Sequence, residues 1–227
     1  MLLELFPQGV EETDGGFAVY TDDDGERRLR GRFDVTSEAF AEGWEEAWRE
    51  FHHGVVVGRL WVGPPWEQPT AGVQSVVVDP GRAFGTGAHA TTRLCLELLQ
   101  DVEPRSLLDV GCGSGVLAIA ASKLGFAPVF AIDVEDDAIE MTLANARVNG
   151  VELTVERTDA LASDLPAVEL VVANIALEPV ERLLARLDAP LAVASGYLDR
   201  DEPRAPGWRR LERRDREGWA ADVLERV

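Results

Sequence analysis

The apolar run Leu107–Val110 breaks into Gly111-Cys112-Gly113-Ser114-Gly115 and resumes as a helical segment over residues 116–124. A strand that feeds a glycine turn and then a helix opens a βαβ unit, which commits the chain to a sheet with parallel strands. Glycines carry no Cβ, so such a turn lets a ligand approach the backbone where strand gives way to helix. The remaining chain keeps the rhythm. Residues 129–132, 153–155, 170–173 and 191–194 are short apolar runs separated by helical segments. Short continuous apolar runs mark strands buried on both faces. The expected fold is therefore α/β, a doubly wound Rossmann-like sheet. Its best-marked helix has Asp136 as N-cap, Ile139, Leu143 and Ala146 on one face and Asn149-Gly150 as its stop. Residues 208–213 and 219–224, flanking Glu217-Gly218, read as a terminal antiparallel hairpin.

Upstream, residues 63–70 hold three prolines and a glycine, which reads as a linker. Residues 1–62 before it read as a small α+β domain, and residues 71–227 as the doubly wound domain. In the first, residues 16–21 and 27–33 read as strands joined through Asp22-Asp23-Asp24-Gly25. Those aspartates lack the alternating ligand spacing and closing Glu of a calcium loop, so they read as a solvated turn and no metal is expected. Ser37 can cap a helix with Phe40, Trp44, Ala47, Trp48 and Phe51 on one face, and residues 55–62 read as a strand. After the linker, residues 73–78 read as a strand and residues 93–99 as a helix with Leu94, Cys95, Leu98 and Leu99 on one stripe.

Charge narrows the partners. Against 41 Asp plus Glu stand 22 Lys plus Arg, a formal charge of −19. A chain so anionic is repelled by nucleic-acid backbones and acidic lipid surfaces, so a macromolecular partner should be basic. Two cysteines, Cys95 and Cys112, make neither a disulfide framework nor a metal knuckle, which points to a reducing cytoplasm. The N-terminus lacks a basic n-region, and no stretch approaches the 18 or so apolar residues of a membrane span. A cytoplasmic monomer is expected.

The glycine turn lacks one element of the dinucleotide fingerprint, which would place its third glycine where Val116 stands. A pyrophosphate cradle is thus missing. Asp133 ends the next strand, 18 residues after Gly115, where a carboxylate either accepts both hydroxyls of a ribose or caps the strand end. Asp159, after the third strand, faces an adenine amino group or is an ordinary loop aspartate. A ribose without a pyrophosphate points to a nucleoside. Asn174 ends the fourth strand at the crevice where open α/β sheets bind ligands, and its side-chain oxygen can accept an N–H from an amine. Ile175-Ala176-Leu177 supplies no aromatic platform for a nucleobase acceptor. Finally, residues 79–92, DPGRAFGTGAHATT, combine three glycines, an aromatic and paired threonines in a loop suited to wrap a ligand. A lone histidine is more often structural, so His89 stays outside the catalytic set.

DPGRAFGTGAHATT, LLDVGCGSGVLAIAA, AIDVEDDAI with Asn145 and Asn149-Gly150, and VVANIALEP resemble, in order, the PrmA-type methyltransferases of large-subunit ribosomal protein eleven. The match covers residues 55–200. The nucleotide-site motifs alone resemble the wider class I S-adenosylmethionine-dependent methyltransferases. The resemblance implies a donor site in which Phe84, Gly85 and Thr86 close over the methionine part of S-adenosylmethionine and Thr92 joins from the start of the helix. Asp109, Gly111, Gly113 and Gly115 would underlie the donor, Asp133 would hold its ribose, Asp159 its adenine, and Asn174 would sit beside the reacting methyl. The implied acceptors are lysine side chains and an α-amino group of that basic ribosomal protein. Trp44, Trp48 and Trp61 match the family's tryptophans ahead of the donor fold. Two departures stand out: the N-terminal module is short, and Pro203 and Pro206 leave little room for the family's last helix.

Transfer to an amine needs an unprotonated nitrogen, yet a free lysine of pKa about 10.4 is neutral only about once in a few thousand molecules at pH 7. An apolar, water-poor pocket would shift that balance by desolvation. Asn174 would aim the lone pair, while Glu178 is a doubtful base because a nearby carboxylate also stabilises ammonium. The alternatives are methylation of another basic protein or a small amine, and a non-catalytic donor-binding module.

Overall fold

The computed structural model describes residues 11–13, 16–18, 29, 33, 35–36, 53–79 and 87–227. The chain divides into two compact units, Met1–Phe51 and His52–Val227. In the first, β1 (Glu11–Thr13) pairs antiparallel with β2 (Gly16–Ala18), Glu11 opposite Ala18. β2 begins the first strand expected there, and its described partner precedes it in the chain. The aspartate turn and the helix expected after Ser37 lie outside the described residues.

The second unit opens with a three-stranded sheet of β3 (Val55–Val57), β4 (Leu60–Gly63) and β5 (Gln74–Val77). The run 55–62, expected as one strand, is a hairpin: Val57 pairs with Leu60 across the two-residue turn Gly58-Arg59. Two-residue loops of this kind favour glycine. β4 then pairs in parallel with β5, so the proline-rich segment 63–70 connects two strands of one sheet. Prolines interrupt periodicity whether or not the next strand rejoins the same sheet, and here it does. Val57, Leu60, Val62, Val76 and Val78 are buried in the same core as Leu94 and Leu98. Each such side chain removed from water stabilises by about 1.5–3 kcal/mol.

The main sheet has seven strands: β6 (Leu107–Val110), β7 (Val129–Asp133), β8 (Thr154–Arg157), β9 (Leu170–Asn174), β10 (Leu191–Leu198), β11 (Trp208–Arg216) and β12 (Trp219–Arg226). Their spatial order is β11-β12-β10-β9-β6-β7-β8. β10, β9, β6, β7 and β8 run parallel, and β12 is antiparallel to both its neighbours. The doubly wound sheet and the terminal hairpin are thus as expected. Among the described residues four helices cover it: α1 (Ala90–Asp101), α2 (Val116–Lys123), α3 (Asp136–Asn149) and α4 (Leu177–Leu184). Alternate strand residues serve two cores. Leu107, Val129, Leu170, Val172 and Val193 pack with residues of α1 and α2, whereas Leu108, Val110, Val171, Ala173 and Ala192 pack with Val180, Leu183 and Leu184 of α4.

The helix expected over 93–99 is longer, Ala90–Asp101, whereas the ends of α3 follow the sequence with one difference. Gly150 in the left-handed conformation stops α3 as expected, but its N-cap is Glu135, with Asp136 the first helical residue. Its buried residues are Ala138, Thr142, Asn145 and Ala146, while the expected Ile139 and Leu143 are only partly covered. Residues 199–207 contain no helix, in line with their prolines. Arg213 instead holds this segment, donating to the carbonyls of Asp199 and Asp201 at 2.8 Å each.

Candidate active site

From β6 the chain winds outward through α2, β7, α3 and β8, then returns to place β9 on the other side of β6. The reversal makes the carboxyl ends of β6 and β9 the switch point at which such sheets bind ligands. The glycine turn leaves β6 there, and Asn174 with Ile175 leaves β9. The two abut: a Cβ on Gly111, whose φ is 73°, would lie 2.5 Å from Cγ2 of Ile175. A side chain at 111 would strike Ile175, so glycine is what lets the ends of β6 and β9 close against each other.

Backbone and carboxylate bonds shape the turn. Gly111 and Cys112 both donate to the carbonyl of Ile132 at 2.9 and 3.1 Å, and Gly115 donates to Cys112 at 2.8 Å before capping α2. Asp133 binds the turn from β7, its Oδ2 accepting the Gly113 N–H at 3.0 Å. Its Oδ1 accepts the N–H groups of Val134 and Glu135 at 2.7 and 3.1 Å, which is the strand-end capping the sequence also allowed. Two carboxylate oxygens offer about four acceptor positions, so three bonds orient the group and leave capacity for a ligand hydroxyl.

Asp109 lies beneath the turn, 1% exposed, with Oδ2 accepting the Ala118 N–H at 3.1 Å. Burial pushes its carboxyl up to about 7, opposed by the Ala118 N–H and assisted by the negative Asp133. At this depth it supports the turn from below. Burial likewise raises the Cys112 and Cys95 thiols, that of Cys95 to about 12, so both stay protonated and unreactive at neutral pH.

Thr92 and Asn174, 82 positions apart in the chain, meet at the site. The Asn174 amide donates to Thr92 Oγ1 at 3.4 Å, while its Oδ1 is buried without a hydrogen-bond partner among the described residues. An unsatisfied buried amide oxygen costs about 1–3 kcal/mol, and native structures keep few of them. An acceptor held without a donor fits an incoming N–H.

Asp159 closes its own turn, Oδ1 accepting the Leu161 N–H at 2.8 Å, and no described hydrogen bond joins it to the glycine turn. Phe84, Gly85 and Thr86 lie outside the described residues. His89 is the N-cap of α1: its Nδ1 accepts the Thr91 N–H at 3.3 Å and its ring packs edge-on against Trp219, centroids 5.0 Å apart. Desolvation lowers its pKa, opposed by Glu217. Glu178 pairs with Arg182 at 3.3 Å on the exposed side of α4. Ile175, Thr142 and Gly196, none marked from the sequence, all touch this region; only the positive φ of Gly196, 100°, is a local signal, and it is visible in the backbone alone.

A family model described as ribosomal protein L11 methyltransferase (PrmA) matches residues 16–202. Among curated proteins, a ribosomal protein L11 methyltransferase of Pectobacterium atrosepticum is 44% identical over 162 residues, covering 68% of this chain and 54% of that protein. That of Caldanaerobacter subterraneus is 40% identical over 173 residues, covering 71% and 56%. The chain spans about half the length of the curated relatives it matches. A crystal structure of ribosomal protein L11 methylase from Lactobacillus delbrueckii superposes with TM-score 0.70 at 30% identity, covering 77% of this chain and 98% of that one. A putative RNA methyltransferase of Pyrococcus horikoshii, TM-score 0.51 and 17% identical over 60% of this chain and 82% of that one, shares the fold.

Proposed function

This chain belongs to the ribosomal protein L11 methyltransferase family, and from that premise we propose that it moves methyl groups from S-adenosylmethionine to lysine Nζ and α-amino nitrogens of ribosomal protein L11. The observation that carries this reading is the partnerless, buried Oδ1 of Asn174 beside the glycine turn at the switch point. The residues present fit the donor. Gly111 lets Ile175 close against the turn at the switch point, and Asp133 retains acceptor capacity toward a ribose. Phe84, Gly85, Thr86 and Asp159 complete the proposed donor contacts on the family resemblance alone.

When bound, S-adenosylmethionine supplies an electrophilic methyl on a sulfonium, whose sulfur keeps the bonding pair on departure. The chain's own contribution is to position the amine. Asn174 Oδ1 accepts one N–H of a neutral amine, and that bond turns the nitrogen lone pair toward the methyl. Thr92 Oγ1 fixes the amide by accepting from its other end. An amine held in one orientation by Asn174 would gain rate from orientation and lost translational freedom. The ammonium must shed a proton to water before it reacts, and the apolar wall supplied by Ile175 favours the uncharged form by desolvation. Glu178, exposed and paired with Arg182, is not assigned as base.

The net charge of −19 supports a basic acceptor by long-range attraction. The same charge would attract any basic protein, which supports a second reading in which the acceptor is a different one. Tritium from labelled donor is expected in purified ribosomal protein L11. An unlabelled acceptor under saturating donor counts against the first reading, and labelled bands elsewhere in a methylation-deficient lysate would favour the second.

A further inference from the structure

The inner face of α3 carries two polar side chains where a helix ordinarily packs apolar ones. Thr142 is 0% and Asn145 2% exposed, three residues apart and therefore neighbours on one face. Both reach the glycine turn. Thr142 Oγ1 lies 3.0 Å from the Gly113 carbonyl and 3.3 Å from Cys112 Sγ, with one hydroxyl proton to give. Asn145 Nδ2 donates to the Ser114 carbonyl at 2.9 Å. Two successive carbonyls of the turn are thus held toward α3, which sets the peptide planes of residues 113–115 against the crevice. Gly115 packs directly on Thr142, a Cβ there falling 2.9 Å from its side chain.

Asn145 makes a second tie. Its Oδ1 accepts the Asp79 N–H at 3.0 Å and its Nδ2 lies 3.4 Å from the Asp79 carbonyl. One turn on, Asn149 binds both backbone groups of Val77, at 2.9 and 2.6 Å, but makes no described bond to the glycine turn. The two asparagines therefore share the strand-holding task, and only Asn145 adds the turn.

We infer that Thr142 and Asn145 are positioning residues of the donor site, holding the Gly113 and Ser114 carbonyls so that the turn presents a preset surface to the donor. The inference rests on the donor reading above and goes beyond it by placing a determinant of affinity on α3. Asn149 serves as the internal control, because it matches Asn145 in kind and place but lacks the tie to the turn.

The test is calorimetric titration of S-adenosylmethionine into the full chain, with amide exchange at residues 111–115 and thermal unfolding read alongside. Thr142→Val and Asn145→Leu should each weaken binding about tenfold, the size of one buried hydrogen bond, and speed exchange at 111–115. Thr142→Ser, which restores the hydroxyl, should return affinity to within about twofold. Asn149→Ala should lower the melting temperature with affinity unchanged. If Thr142→Val and Asn145→Leu melt earlier but bind as the wild type does, their role is structural only and the inference falls. A wild-type chain that binds no donor overturns the donor reading, and this inference with it.

Discussion

Gly196 of β10 lies against Ile175 so closely that a Cβ built on it would overlap the Ile175 carbonyl oxygen and come within 2.6 Å of the carbonyl carbon. Its φ of 100° and the register shift between Ser195 and Tyr197 show a strand that bulges to admit the neighbouring loop. Ile175 is thereby gripped from both sides, by Gly196 and by Gly111. Gly196→Ala should displace Ile175, and Asn174 with it, while straining the backbone by about 1–3 kcal/mol. Urea unfolding should report the loss of stability, and turnover should fall further than stability alone accounts for. Wild-type turnover in a destabilised variant would separate the bulge from the site.

Asn174→Ala removes the orphan acceptor and the bond to Thr92 together. Relieving an unsatisfied buried oxygen offsets part of the packing loss, so stability should change little. Turnover should drop about 100-fold or more, the scale seen when an aligned reactant is misplaced, with donor affinity mostly retained. Single-turnover rates and donor titration together make the check, and an equal loss in both would move Asn174 from acceptor positioning to donor binding.

Asp133 joins three backbone N–H groups as well as its proposed ribose contact. Asp133→Ala should therefore do two things: destabilise the fold by roughly 1–3 kcal/mol and weaken the donor at least tenfold. Calorimetry at a temperature where the variant is fully folded isolates the second effect. Unchanged affinity there would leave Asp133 as a cap and remove it from the ribose.

The parts of this fold that were legible are those whose signals are local. Short apolar runs at 107–110, 129–132 and 170–173 mark strands because each is buried on both faces, and Asn149-Gly150 marks a helix stop because glycine adopts the left-handed turn. Asp133 and Asn174 stood out as polar groups at the ends of apolar strands. What escaped depends on partners distant in sequence. Gly58-Arg59 interrupts the run 55–62 for only two residues, and nothing local shows that Val57 pairs with Leu60 across them. Residues 63–70 look like a linker because nothing local reveals that β5 returns to pair with β4. Asn145 was legible only as part of the family's motif and Thr142 not at all, since their partners at 113, 114 and 79 come from other elements.

Asp109 gives the site a pH signature. In the folded chain it keeps its proton to about pH 7, and in the unfolded chain it loses it near pH 4. Between those values the unfolded state binds fewer protons than the folded one, so this group's contribution to stability falls as pH rises from about 4 to 7 and levels off above. Asp109→Asn has no such proton. The stability of the variant relative to wild type should therefore rise across that window, by on the order of 4 kcal/mol at most. Urea unfolding of both proteins at pH 4.5 and 7.5, compared as a difference of differences, isolates it. A gap that stays constant between the two pH values would mean that Asp109 is ionised in the fold, held by the Ala118 N–H strongly enough to overcome its burial.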